Sequence, residues 1–204
     1  MTAQSKPAGY HHGDLRTALV GAATELIESG ESFSLRAVAR KVGVSAAAPY
    51  RHFKDREQLE SAIAASGFEV LLSQLKLHGS TGDSSPDIPG LAVVYVRYAL
   101  DHPAVFRLMF GQGCADANDD RVIAAKNLQA FLETAVGQAF PNAKDEALPT
   151  ALWSLAHGLA FLHLDGKLPS LTSSEVDRRV RQAFGAVLTG GQSEYAAKQA
   201  RRLD

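Results

Sequence analysis

The strongest constraint on how this chain folds lies between Ser34 and Lys54, in SLRAVARKVGVSAAAPYRHFK. Leu35, Val38, Ala39 and Val42 recur at i, i+3, i+4 and i+7, one face of an α-helix. Ser34 stands before that run as an N-cap. Gly43 follows it, where a left-handed residue ends a helix at least cost. Val44 is expected to fold back on the first helix, and Ser45 to cap a second helix over Ala46 to Phe53. The small Ala39 lets that second helix approach closely. Two short helices about a tight turn make a helix-turn-helix, whose second helix enters the DNA major groove.

Charge agrees with that reading. From Phe33 to Arg56 there are six basic residues (Arg36, Arg40, Lys41, Arg51, Lys54, Arg56) and one acid, Asp55, a net of +5. The whole chain carries −1, so the remainder carries −6. A basic patch on a nearly neutral protein is an electrostatic footprint for phosphate. Within the reading helix, Pro49 removes one N–H and crowds the carbonyl four residues back, so the first turn is expected to tighten toward 3₁₀. Ala46, Ala47 and Ala48 are too short to hydrogen-bond base edges, but their methyl groups suit thymine methyls. Tyr50, Arg51 and His52 are the longer side chains, with Tyr50 expected on backbone phosphate and its ring in the helix interface. Phe53 is expected in the core. The candidate DNA contacts are Ser34, Arg36, Ser45, Ala46, Ala47, Ala48, Tyr50, Arg51, His52 and Lys54.

GVSAAAPYRHFKDREQL resembles the DNA-binding module of the tetracycline-repressor (TetR) family of bacterial regulators. YHHGDLR, from Tyr10 to Arg16, is similar to the run that precedes this module in one subfamily. Trp153, His157 and Gly158 resemble the W…HG signature of that subfamily's C-terminal domain. The likeness is close over about the first 60 residues and loose beyond. It implies a homodimeric regulator, a repressor released from a palindromic double-stranded operator by a small-molecule effector that it does not name. It also implies that Lys54 is the family's phosphate-binding lysine, and that the last two helices pair with their copies as a four-helix bundle.

The rest of the chain reads as helices throughout. Asp14 to Ser29 carries the stripe Leu15, Leu19, Ala22, Leu26 and Ile27, ended by Gly30. Asp55 to about His78 is one long helix with Gly67 as a weak spot, followed by a flexible loop from Gly79 to Gly90. Leu91 to Asp101 is apolar almost all round and is expected to be buried. Pro103 ends it, and Ala104 to Phe110, Arg121 to Phe140, Ala147 to Leu164 and Glu175 to Leu188 complete the set. The tail from Gly190 is polar and expected to be disordered. The fold expected is all-α, with a three-helix DNA-binding domain and N-terminal arm over residues 1–58. A helical ligand-binding and dimerisation domain follows over 59–204.

Two further sites are expected in the second domain. Phe106, Met109, Phe110, Trp153, His157 and Phe161 are apolar and aromatic with one polar member, the composition of a small-molecule pocket. Trp153 and His157 could equally belong to the dimer seam or the core. Ala151, Ser154 and Gly158 give one small-residue face, and Val176, Val180, Phe184 and Val187 one apolar stripe; these are the candidate dimer interface.

Other function classes find little support. No nucleophile, base and orienting group can be assembled, and no phosphate-binding glycine loop is present, so neither an enzyme nor a cofactor is expected. The single cysteine, Cys114, excludes an internal disulfide and a multi-cysteine zinc site. The adjacent His11 and His12 do not converge on one ion, so no metal is expected. No run approaches the 18 or so apolar residues of a membrane helix, and the N-terminus lacks a signal-peptide core. A cytoplasmic protein, nucleoid-associated when on DNA, is the expectation. The alternative is a constitutive architectural DNA-binding protein without effector.

Overall fold

The computed structural model describes residues 12–31, 33–79, 85–111, 119–143, 145–169 and 172–200. Eight α-helices are found among them, and no strand. They are α1 (His12–Glu28), α2 (Leu35–Val42), α3 (Arg56–Gly79), α4 (Ile88–Asp101), α5 (Pro103–Phe110), α6 (Asp120–Ala139), α7 (Leu148–Leu164) and α8 (Ser173–Ala200). A 3₁₀ turn, Pro49–Arg51, stands between α2 and α3. The N-terminal arm with Lys6, Tyr10 and His11 lies outside the described residues, as do Cys114, Arg201 and Arg202.

Local chemistry explains the helix starts. Asp55 Oδ1 accepts the N–H of Gln58 at 2.9 Å, and Gln58 Oε1 reaches back to the N–H of Lys54 at 2.7 Å. Asp87 and Asp119 cap α4 and α6 in the same way, through the N–H groups of Gly90 and Arg121. At α8, Glu175 reaches back to Thr172, its Oε2 accepting the Thr172 N–H at 2.9 Å and the hydroxyl at 2.7 Å. These caps account for two differences from the sequence expectation. Asp87 starts α4 at Ile88, inside the expected loop, and Thr172 starts α8 before Glu175. A third difference is at the C-terminus, where α8 continues to Ala200 instead of ending near Leu188.

The buried residues form one contiguous core running from Leu19 and Val38 to Val180 and Phe184. It crosses the boundary expected near residue 58. The element that carries it across is α3, which packs most extensively on α6 and also on α5, α4 and α1. Leu59, Ile63, Leu71 and Leu75 on its inner face are fully buried, each contributing about 1.5–3 kcal/mol by leaving water.

Burial corrects the expected dimer stripe. Val176, Val180 and Phe184 are buried within a single chain, where α8 packs on α4, so they do not face a second copy. Their helix is held there by Arg97, which pairs with both carboxylate oxygens of Asp177 at 2.6 Å, and by Arg181 to Asp87 at 3.0 Å. Of the stripe only Val187 is exposed.

Gly67 is not a weak spot in α3. A Cβ placed there would stand 2.7 Å from Met109 Sδ and 2.8 Å from Val105 Cγ1, so the missing side chain is what lets α5 seat against α3. Gly67→Val is therefore expected to destabilise by roughly 2–3 kcal/mol through overpacking, far more than any gain in helix propensity returns. A urea-unfolding midpoint unchanged from the parent would show that α5 does not sit this close.

Candidate functional site

The helix-turn-helix is built from its caps inward. Ser34 Oγ accepts the N–H of Ala37 at 3.1 Å and opens α2. At the other end Gly43 has φ 79°, in the left-handed region. Its N–H bonds the carbonyl of Arg40 at 3.2 Å, and the N–H of Val44 bonds that of Ala39 at 2.9 Å, the paired closure of a Schellman motif. Leu35, Val38 and Ala39 point inward from α2.

The second helix is shorter than expected. Ala46 to Ala48 form a turn, closed by the Ala48 N–H on the Ser45 carbonyl at 2.9 Å, and only Pro49–Arg51 are helical, in 3₁₀ form. Pro49 is the reason: it has no N–H to give the α-helical ladder, so the i→i+3 bonds of Arg51 and His52 take over. Pro49 and Phe53 are buried, with the Arg16 guanidinium 5.5 Å over the Phe53 ring. Tyr50 is 52% exposed, so its ring projects outward instead of filling the helix interface.

The candidate contacts divide by exposure. Arg36, Ser45, Ala46, Ala47, Tyr50, Arg51 and Lys54 are exposed, while Ala48 and His52 are half-buried. Ser34 is exposed but its hydroxyl oxygen is engaged at the N-cap. Two of the six basic residues are neutralised locally. Lys41 pairs with Glu25 at 2.9 Å, and the Glu25 carboxylate, hydrogen-bonded to it, holds its ammonium above the usual lysine range. Arg56 pairs with Glu60 at 2.7 Å and lies over the Phe33 ring at 4.9 Å. Arg36, Arg40, Arg51 and Lys54 have no ion-pair partner among the described residues. Arg40 belongs to the basic patch and stands just before Gly43; its exposure adds it to the candidate contacts.

In the second domain the six expected pocket residues form an aromatic cluster that fills space. Phe106 is fully buried, with the rings of Tyr95, Phe110, His157 and Phe161 centred 4.9–5.8 Å from its own. Met109 is buried beneath Gly67. Phe106 and Met109 are thus core residues, not pocket walls. Trp153 and Tyr95 line a small apolar cavity together with Leu91, Leu132, Val136 and Phe184; its volume is about 30 Å³, room for a water but not for a ligand.

A polar chain threads this cluster. The indole N–H of Trp153 donates to Tyr95 Oη at 3.2 Å, and His157 Nδ1 lies 2.9 Å from the same oxygen. An indole can only donate, so Tyr95 Oη accepts from Trp153, and the hydroxyl can give its own proton to His157 where Nδ1 is bare. His157 is then the neutral tautomer with its proton on Nε2. Burial favours the same state by pulling the imidazole below its ordinary pKa, and it pushes the Tyr95 phenol well above the usual range.

The comparisons with known proteins agree at both ends of the chain. Residues 19–63 match bacterial regulatory proteins of the tetR family, and residues 88–187 match the tetracyclin repressor-like C-terminal domain. A Rhodococcus sp. RHA1 protein of unknown function is 31% identical, over 87% of this chain and 96% of its own, with a TM-score of 0.73. The chain belongs to the TetR family of bacterial transcription regulators. TetR/AcrR-family and tetR-family regulators from Thermobifida fusca and Streptomyces coelicolor share the fold. Their identities are 20% and 17% and their TM-scores 0.64 and 0.65; they cover 83% and 92% of this chain and 95% and 89% of their own. As a TetR-family regulator the protein is a DNA-binding transcription factor and not an enzyme.

The depressed imidazole has a consequence for stability. In the unfolded chain His157 titrates near its ordinary value of 6.5; in the native state it resists the proton. Its contribution is complete above that value and is lost as pH falls through it. His163, depressed by burial and by Arg179, acts in the same direction. The denaturation midpoint is expected to fall between about pH 7.5 and 5.5, and His157→Asn to make the fall shallower. An equal fall in parent and variant would mean that His157 is not held neutral by the fold.

Proposed function

We propose that this TetR-family regulator is a homodimeric repressor, held on a near-palindromic operator and released by a small-molecule effector. The observation that carries the DNA-binding surface is the set of four exposed cations without an ion-pair partner among the described residues, Arg36, Arg40, Arg51 and Lys54, together with the exposed Ala46 and Ala47. The cations suit phosphate and the methyl groups suit base edges. Lys54 stands just before α3 and offers its ammonium to phosphate, its own N–H and that of Gln58 being taken by the capping side chains. No helix among the described residues is long and apolar enough to cross a membrane; the proposed place of action is the cytoplasm, with the nucleoid when the protein is on DNA.

The dimer face is the outer side of α7. Ala151, Leu155, Gly158 and Leu162 fall at i, i+4, i+7 and i+11, and Ser154 flanks them. Ala151 and Ser154 are exposed, Leu162 is 43% exposed and Val187 of α8 is 51% exposed. A Cβ on Gly158 would meet nothing within 4 Å, so the face is open to close approach by a second helix. Two copies related by a two-fold axis would present two reading turns to successive major grooves, about 34–36 Å apart. Leu162→Glu would bury an unpaired charge at this seam. Sedimentation of that variant is expected to show a monomer with parental helix content; a stable dimer would place the seam elsewhere.

Effector control rests on the packing between α4, α6 and α7. A ligand larger than a water enters the cavity beside Trp153 and Tyr95 only by parting these helices, and it controls DNA binding only through different affinities for the closed and parted states.

The experiment for the DNA surface is selection of bound duplexes from random sequence by the purified protein, expected to return a near-palindrome. On that operator Lys54→Ala should weaken binding and flatten the slope of log K against log salt by about 0.9, the share of a single phosphate. An unchanged slope with unchanged affinity would remove Lys54 from the interface.

A further inference from the structure

α5 has no cap of its own. His102 precedes it without a side-chain hydrogen bond, and Pro103 at its start has no N–H. The next two N–H groups, of Ala104 and Val105, are both taken by the Glu28 carboxylate, at 3.2 Å to Oε2 and 2.9 Å to Oε1. Glu28 is the last residue of α1, which packs on α2 and so belongs to the DNA-reading module. A carboxylate on two N–H groups at a helix N-terminus is charge-assisted and favoured by the helix dipole. Its charge is also felt by buried Tyr98, whose phenol burial, and then Glu28, hold above the usual range.

What α5 carries makes this cap more than a local closure. Phe106 is the centre of the aromatic cluster, and Val105 and Met109 are pressed against Gly67 of α3. The helix therefore cannot move relative to the core without taking the end of α1 with it. The opposite end of α1 is tied by Arg16 to Asp120 at 2.9 Å. Both partners there are largely exposed, so that pair is weak. Arg16 and Glu28 lie about 18 Å apart along α1. Leu19, Val20, Ala23 and Leu26 hold the middle of α1 in the core, and the Glu28 tie sets the angle of its C-terminal end against α5.

We infer that Glu28 is a positioning residue: by capping α5 it fixes the tilt of α1, and with it the half-site spacing that the dimer accepts. The inference rests on the dimeric operator reading above. A residue needed only for folding would weaken binding to every operator by one factor. A residue that sets the tilt changes the preference among spacings.

The test uses the full-length protein, its selected operator, and two versions with the half-sites one base pair closer or farther. The parent is expected to lose roughly tenfold or more in affinity on either altered spacing, the scale of one mismatched base pair. Glu28→Ala is expected to bind the native spacing about 5-fold more weakly and to lose less than about 3-fold on the altered ones. The same spacing penalty in parent and Glu28→Ala would overturn the inference. Should Glu28→Ala not fold, Glu28→Gln, which keeps one acceptor oxygen, is judged by the same ratio: a reduced penalty supports the role and a parental penalty overturns it. If the parent itself selects no palindrome, the dimeric reading falls, and Glu28 is judged by hydrogen exchange in the free protein. Faster exchange in α1 and α2 with α7 unchanged supports positioning, and unchanged exchange in α1 and α2 overturns it.

Discussion

The burial of one face of α3 is the interaction on which the rest depends. This 24-residue helix is held at its start by Asp55 and Gln58, immediately after the DNA-reading turn. It then runs the length of the core, with Leu59 and Ile63 near one end and Leu71 and Leu75 near the other. α1, α4, α5 and α6 all pack on it. Because its buried side chains serve both modules, neither can shed α3 without exposing apolar surface. The close seat of α5 at Gly67 tightens the same arrangement, since close-packed interiors respond to small displacements by switching arrangement more readily than by stretching.

Polar and charged groups are organised around that frame in two ways. On the outer surface of the reading module, four cations have no ion-pair partner among the described residues, which is costly for compactness but suits a polyanionic partner. Between modules, groups are matched: Arg16 with Asp120, Ser61 with Asp119, and Glu28 with the start of α5. Arg121 then bonds the carbonyls of Met109 and Gly111 at 3.0 and 2.9 Å, satisfying the open end of α5 from α6. α5 is thus closed at both ends by groups from elsewhere in the chain, which suits a short helix that cannot stabilise itself.

The aromatic cluster shows how composition can mislead about function. Five apolar and aromatic residues near one histidine have the composition of a pocket, yet rings 4.9–5.8 Å from Phe106 leave no room for a ligand beside it. The Trp153–Tyr95–His157 chain satisfies the polar atoms that this packing buries. A ligand seated beside Trp153 and Tyr95 would therefore have to part the surrounding helices to make its own space.

The sequence by itself determined the elements and the family. Period-3.6 stripes, Ser34, Gly43, Pro49 and Pro103 act within a few residues of where they stand, so their consequences are local and legible. The basic count was legible for the same reason. Only the tertiary structure decided which faces meet. Val176, Val180 and Phe184 form an apolar stripe that could cover α4 or a second chain, and the pattern is the same in both cases; packing assigned them to α4. In the sequence Lys41 looks as available as Lys54, because Glu25 comes beside it only in the fold, whereas the Arg56–Glu60 pair is a local i,i+4 contact on one helix. Glu28 carries no sequence signal at all, because its partners lie 76 and 77 residues away and are backbone N–H groups, which every residue but proline possesses.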